Sequence, residues 1–179
     1  MMYEHVTHIF GPVYDRDSRI LILGSMPSVK SREQQFYYGH PQNRFWKVLP
    51  AVLREPEPGT VAEKRDFLLR NNVALWDVIA SCDIIGSSDS SIKNVQANDM
   101  NRILSAADIG MIFLNGGKAY ELFMKYCDST IQKDAHGGRP KLVRLPSTSP
   151  ANAAWSLGRL TEAWGEAILG EGGIGRDGV

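Results

Sequence analysis

The chain has 179 residues, enough for one domain with a sizeable core. It is 43% hydrophobic and 22% charged, the balance of an ordinary globular chain, and no apolar run reaches the ~20 residues that a membrane helix needs. Lysine plus arginine equals aspartate plus glutamate at 20 each, so no net charge draws the chain to a polyanion, and any nucleic-acid contact must come from a local patch.

The first segment, "MMYEHVTHIFGPVYDRDSR", puts polar and acidic residues where a signal peptide needs a continuous apolar run. A cytoplasmic protein is expected, with no membrane partner. "ILILG" at 20–24 is the first of four short apolar runs. The others are 73–79 (VALWDVI), 109–115 (IGMIFLN) and 141–145 (KLVRL). Such runs suit strands buried on both faces, as in a parallel sheet. Helical spacing appears at 44–53, 62–71, 99–107, 118–127 and 151–169. The last of these sets Ala154, Leu157, Leu160, Trp164 and Ile168 along one side, a stripe for burial. Residues 54–60 read as a Pro-rich loop, 83–98 as a long polar loop, and 171–179 as a flexible Gly-rich tail after a domain spanning 1–170. Cys82 and Cys127 form no CxxC pair, so they read as reduced, buried thiols, and no metal or other cofactor is expected. The basic run "QKDAHGGRPKLVR" reads as a solvated face that leads into "LPSTSP".

Strands alternating with helices imply a parallel α/β sheet with right-handed crossovers, whose sites lie at the carboxyl ends of the strands. All four ends are chemically loaded: "GSMPS", "WDVIASCD", "NGG" and "PSTSPAN". One pocket fed by four loops is therefore expected. There is no GxxxxGK[ST] and no GxSxG, and "GSMPS" after the first strand is not GxGxxG, which argues against a P-loop, a serine hydrolase and a dinucleotide fold. The converging groups are flat, amide or hydroxylic. Tyr37, Tyr38, Phe45 and Trp46 are aromatic. Asn43, Asp77 and Asn115 carry fixed hydrogen-bonding edges. Ser28, Ser31, Ser147, Thr148 and Ser149 carry hydroxyls. The mixture suits a planar heterocycle plus phosphates, held by stacking and by small donors. An enzyme acting on one base of a duplex must flip that base into such a pocket. Phe45 and Trp46 are expected in the core, opening a helix.

"GSMPS", then "YYGHPQNRFWKV", then "LPSTSPANA" resemble the uracil-DNA glycosylase superfamily, and within it most closely the hypoxanthine-DNA (deoxyinosine) glycosylase family. The resemblance runs from about residue 20 to 169. It implies a single-domain three-layer α/β sandwich with a four-stranded parallel sheet between helices. It implies a monofunctional base-excision enzyme that binds DNA carrying a deaminated base, without a cofactor, and that is expected to be a monomer. A uracil- or mismatch-specific glycosylase, and a non-catalytic nucleic-acid-binding module of the same fold, are the alternatives. By position, Ser25 and Met26 would meet the base and sugar, and Tyr38 would stack on the flipped base. Asp77 and Asn115 would read base edges. Pro27, Ser28 and Ser31 would lie against the DNA backbone. Ser147, Thr148, Ser149, Pro150 and Asn152 would belong to the loop that enters the minor groove. Met26 stands where better-known branches carry an Asp or Asn that handles water, and it can do neither job. The catalytic role is implied instead for Asn43. A neutral amide positions groups and is no strong base. No lysine falls in the motifs to form a Schiff base, so strand cleavage is not expected.

Overall fold

A computed structural model describes residues 2–134 and 136–170. Its elements are β1 (Glu4–Thr7), β2 (Ile20–Gly24), α1 (Val29–Gln34), α2 (Phe45–Leu53), α3 (Val61–Arg70), β3 (Val73–Asp77), β4 (Ile79–Ile84), β5 (Lys93–Ala97), α4 (Asn101–Leu104), β6 (Met111–Asn115), α5 (Gly117–Tyr126), β7 (Lys141–Leu145) and α6 (Leu157–Ile168). Two sheets result: a parallel four-stranded sheet in the order β3-β2-β6-β7, and an antiparallel three-stranded sheet in the order β1-β4-β5.

The parallel sheet is the predicted one. All five residues of β2 and of β3 are buried, as are Met111 to Leu114 of β6. These strands hydrogen-bond along their edges while neighbouring layers cover both faces, which is why they read as unbroken apolar runs. Registry places Gly24 opposite Asp77 and Asn115 opposite Leu145. The chain passes from β2 to β3 on one side and later returns to β6 on the other side of β2. That reversal opens a crevice at the strands' carboxyl ends. Phe45 and Trp46 open α2 and are buried, as expected. Helix α2 packs on α6 through groups that include Phe45 and Trp164, whose rings meet edge to face at 5.9 Å.

Several boundaries differ from the sequence reading. The run 73–79 breaks into two strands of different sheets at Val78, whose N–H donates to Gly24 O at 2.8 Å. The polar loop 83–98 instead carries the end of β4 and all of β5. Residues 29–34, read as loop, form α1, capped by Ser28, which accepts from Ser31 N–H. The last helix begins at Leu157 rather than 151, because Ser156 caps it there. Leu160, Trp164 and Ile168 are buried as expected, whereas Ala154 lies before the helix and Leu157 is exposed. The predicted helix at 99–107 shortens to one turn, α4. The tail 171–179 lies outside the described residues.

Candidate active site

The four loaded strand ends meet. A cavity of about 300 Å³ is lined by residues after β2, at the ends of β3 and β6, and after β7. Of the predicted residues, Ser25, Met26, Pro27, Ser28, Ser31, Tyr38, Asn43, Asp77, Asn115, Ser147, Thr148, Ser149 and Pro150 all line it. Asn152 does not. It lines an adjoining groove of about 500 Å³ with Arg144 and Trp155, and its Nδ2 donates to Ser147 O at 3.0 Å.

One wall is the Tyr38 ring, stacked on Phe45 with centroids 4.1 Å apart and planes 17° apart. Tyr38 sits at φ 54°, a left-handed conformation that a bulky residue adopts only when its surroundings impose it. Burial, with the nearby Asp77 charge, pushes its phenol well above the usual range, so the hydroxyl stays protonated. Its oxygen is buried and meets no well-aligned hydrogen-bond partner among the described residues, although the Asn115 side chain lies near enough to work against that rise. The floor is Asp77, 3% exposed. Gly24 makes room for both groups. A Cβ there would lie 2.5 Å from Asp77 Oδ1 and 3.0 Å from the Tyr38 oxygen.

A further part of the lining is an amide–hydroxyl relay centred on Thr148, which is fully buried. Thr148 N–H donates to Asn115 Oδ1 and Asn115 Nδ2 donates to Thr148 Oγ1, both at 3.0 Å. The Thr148 hydroxyl then donates to Asn43 Oδ1 at 2.9 Å, and the Phe45 backbone N–H donates to the same oxygen at 2.9 Å. Two donors fix that end of the amide as the acceptor. The Asn43 N–H2 makes no hydrogen bond within the described residues, and Asn43 is one of the residues lining the cavity. Asn115, expected to read a base edge, spends both ends of its amide on Thr148. Ser31, expected at the DNA backbone, is buried, and its hydroxyl accepts from Gly39 N–H at 2.9 Å.

Three further residues carry weight that the sequence reading missed. Arg44 donates to the carbonyls of Thr148, Ser149, Asn152 and Trp155, and so holds the 147–155 loop in shape. The guanidinium fork suits several fixed acceptors at once. Asp89, from the connection between β4 and β5, lines both the cavity and the groove. Ser25 Oγ donates to it at 3.3 Å, and burial lifts its carboxyl above the usual range. His8 reaches Asp77 from the N-terminal segment, with Nε2 2.8 Å from Oδ2. Arg44 lies inside a motif already singled out, "YYGHPQNRFWKV", and Asp89 lies in the polar loop that follows "WDVIASCD". His8 is far in sequence from every motif, and the antiparallel sheet brings it in.

A parallel α/β sheet whose strand ends feed one cleft brings together a stacked ring, a carboxylate and a fixed amide, groups whose chemistry suits a planar, hydrogen-bonding ligand. The family model for the Uracil DNA glycosylase superfamily matches residues 12–168, and the chain belongs to that superfamily. It is 33% identical over 163 residues to a hypoxanthine DNA glycosylase of Methanosarcina barkeri, covering 89% of this chain and 96% of the relative. It is 35% identical over 164 residues to a hypoxanthine DNA glycosylase of Methanosarcina acetivorans, with the same coverage. A solution NMR structure of a candidate uracil DNA glycosylase from Methanosarcina acetivorans superposes with a TM-score of 0.70 at 33% identity, covering 89% of this chain and 94% of that one.

Among the described residues, no cluster of three or more His, Cys, Asp or Glu side chains is placed to hold a metal ion. No helix among them is long and apolar enough to cross a membrane.

Proposed function

We propose that residues 1–170 form a monofunctional DNA glycosylase domain that hydrolyses the N-glycosidic bond of deoxyinosine in DNA, releasing hypoxanthine and leaving an abasic site. The protein is read as a cytoplasmic monomer that flips the damaged nucleotide out of the duplex. The observation that carries the reading is the locked Asn43 amide, whose one free end is a donor on a residue that lines the cavity. Bond cleavage builds oxocarbenium character on the sugar and negative charge on the departing purine. A fixed donor aimed at that charge, or at the attacking water, costs no reorganisation when the bond breaks, and removing one such donor typically costs about 2.7–4 kcal/mol. Asn43 is therefore assigned the role of positioning and charge stabilisation rather than proton abstraction. Tyr38 supplies the stacking face, at about 1–3 kcal/mol per base. Asp77 reads the base. A carboxylate accepts from the N1–H of hypoxanthine, whereas adenine presents a lone pair there and is rejected. Ser147, Ser149 and Pro150, on the loop clamped by Arg44, stand at the mouth to meet the DNA backbone.

The test is direct. Labelled duplexes carrying one inosine or one uracil are incubated with the protein and then treated with alkali. Cleavage at inosine is expected. Cleavage at uracil alone would replace hypoxanthine with uracil as the substrate. Binding without cleavage of either would make the protein a binding module. In the same assay Asn43→Ala should lower turnover by about 10²–10³-fold, while Met26→Ala should leave it nearly unchanged. The reverse ranking would move the catalytic role away from Asn43.

A further inference from the structure

The pair His8–Asp77 is an unusual thing to bury beneath a base pocket. The side chains are 2% and 5% exposed, and they meet at 2.8 Å. A long segment is committed to bringing them together. His8 N–H donates to Ala80 O at 2.7 Å, beyond the end of β1. The ring lies 4.5 Å from Phe10 and 5.8 Å from Tyr37 by centroid. The Tyr37 hydroxyl in turn donates to Gly11 O at 2.9 Å and closes the segment over the site.

The other ring nitrogen decides the protonation pattern. His8 Nδ1 is buried and has no hydrogen-bond partner among the described residues. A proton on Nδ1 would be a buried N–H with nowhere to go, the costly kind of orphan. A bare lone pair there costs less. The geometry therefore favours a ring that leaves Nδ1 bare, carries its proton on Nε2 and donates from there to the Asp77 carboxylate. Oδ2 is then occupied by His8, and Oδ1 is the oxygen beside Gly24 and Tyr38.

We propose that His8 is a specificity-determining positioning residue: by donating from Nε2 it holds Asp77 as a pure acceptor with one oxygen turned to the base, so that the pocket takes bases with an N–H at that edge and refuses adenine. The proposal rests on the hypoxanthine reading of the site and extends it to a residue that touches no substrate. Without His8, Asp77 would be a buried carboxylate lacking a donor. Such a group takes up a proton, becomes a donor on one oxygen, and loses its discrimination.

Two variants separate positioning from packing. His8→Phe keeps a ring against Phe10 and Tyr37 but removes the donor. His8→Gln can put a neutral amide N–H near the place of Nε2. With inosine duplexes, His8→Phe should lose about tenfold or more of kcat/KM near neutral pH, and the acid limb of its profile should move up by about one pH unit or more. Activity should return as pH rises, because ionisation of Asp77 then no longer depends on His8. His8→Gln should restore most of the wild-type profile. The ratio of inosine to adenine cleavage should fall in the Phe variant only. Other groups around the pair do not mask the result. Burial keeps the Tyr37 and Tyr38 phenols protonated, Arg65 and Arg102 face Tyr37, and His40 and Asp89 line the cavity in all three proteins alike. Equal losses in both variants with an unmoved profile would reduce His8 to packing and overturn the proposal. So would a Phe variant that matches wild type.

A second measurement does not need activity. In 15N-histidine-labelled wild type near neutral pH, His8 should show the neutral Nε2–H tautomer. An imidazolium or an Nδ1–H tautomer would overturn the proposal even if inosine is cleaved. If the wild type cleaves uracil instead, the variant comparison runs on uracil, whose N3–H offers the same kind of donor. If it cleaves neither base, the proposed activity falls, and the tautomer alone decides the state of the pair.

Discussion

At the scale of single residues, the site depends on atoms that are absent as much as on those present. Gly24 faces Asp77 across the β2–β3 pairing, and a methyl group there would lie 2.5 Å from Asp77 Oδ1. Gly24→Ala must push the carboxylate or the backbone aside. Displacing a catalytic constellation by about 1 Å can cost ~10²-fold in rate. Glycosylase assays of Gly24→Ala should show a loss approaching that size, with a folded circular-dichroism spectrum. Thr148 is a different case, since its side chain never needs to touch a substrate. Thr148→Val keeps the shape but deletes the hydroxyl that joins Asn115 to Asn43. One buried amide hydrogen is orphaned and Asn43 keeps one of its two anchors. Thermal unfolding should report a loss of about 1–3 kcal/mol, and turnover should fall less than in Asn43→Ala. The sequence reading placed Thr148 in the loop expected to enter the minor groove, among hydroxyls suited to contacts with DNA. Its full burial assigns the hydroxyl to the interior, and no local pattern of residues carries that information.

At the scale of elements, the parallel sheet was legible and the antiparallel one was not, for one physical reason. Strands β2, β3 and β6 are covered on both faces, so burial writes itself into the sequence as a continuous apolar run. Strands β1 and β5 are mostly exposed, β1 having only Val6 partly covered and β5 only Val95 and Ala97. Such strands owe their place to pairing with β4, a long-range contact with little local signature. The same blind spot hid His8 and Asp89, which these segments deliver. It did not hide the strand-end loops, because their Gly, Pro, Ser and Asn residues are punctuation that can be read locally. The 147–155 loop has no regular structure, and Arg44 supplies what a strand or helix would otherwise provide. Its guanidinium donates to four carbonyls of that loop. A lysine has the charge without the fork. Arg44→Lys should leave the fold intact, since α2 is held by buried Phe45, Val48, Leu49 and Val52. Hydrogen exchange should rise across 147–155 and hardly change in β2 or β6, and inosine cleavage should drop by about tenfold, mainly through KM.

At the scale of the whole molecule, burial and charge make separate predictions. Burial, with the Asp99 charge a smaller cause, pushes the Cys127 thiol from 9.0 up to about 11. Cys82 is also buried and raised. Native protein at pH 8 should therefore resist a thiol reagent that labels both cysteines after unfolding. A thiol with a raised folded-state pKa binds its proton more tightly in the native state. Its stabilising contribution is complete below 9 and is lost as pH rises towards 11, so melting temperature should decline across that window. Cys127→Ala should flatten the decline. Charge governs the encounter with DNA. Equal numbers of acidic and basic residues mean that the molecule as a whole is not drawn to a polyanion. Phosphate contact then falls to the few cations at the rim, where Arg144 lines the groove beside the cavity and Lys118 lies close enough to Asp89 for its charge to oppose part of the desolvation that raises that carboxyl. Each neutralised phosphate adds about −0.9 to the slope of log K against log salt. Two or three contacts predict a slope of about −2 to −3, shallow beside the value near −10 of strongly basic binders. Fluorescence anisotropy with an inosine duplex between 50 and 300 mM salt would measure it, and Arg144→Ala should reduce the slope by about 1. A steep slope that Arg144→Ala leaves unchanged would mean that the duplex rests on another face of the molecule. Lys133 and Lys141, earlier in the basic run that ends at Arg144, would then be the first place to look. A shallow slope that falls with Arg144 would mean that affinity comes chiefly from the flipped base in its pocket, the expectation for a neutral protein whose chemistry is concentrated at one edge of its sheet.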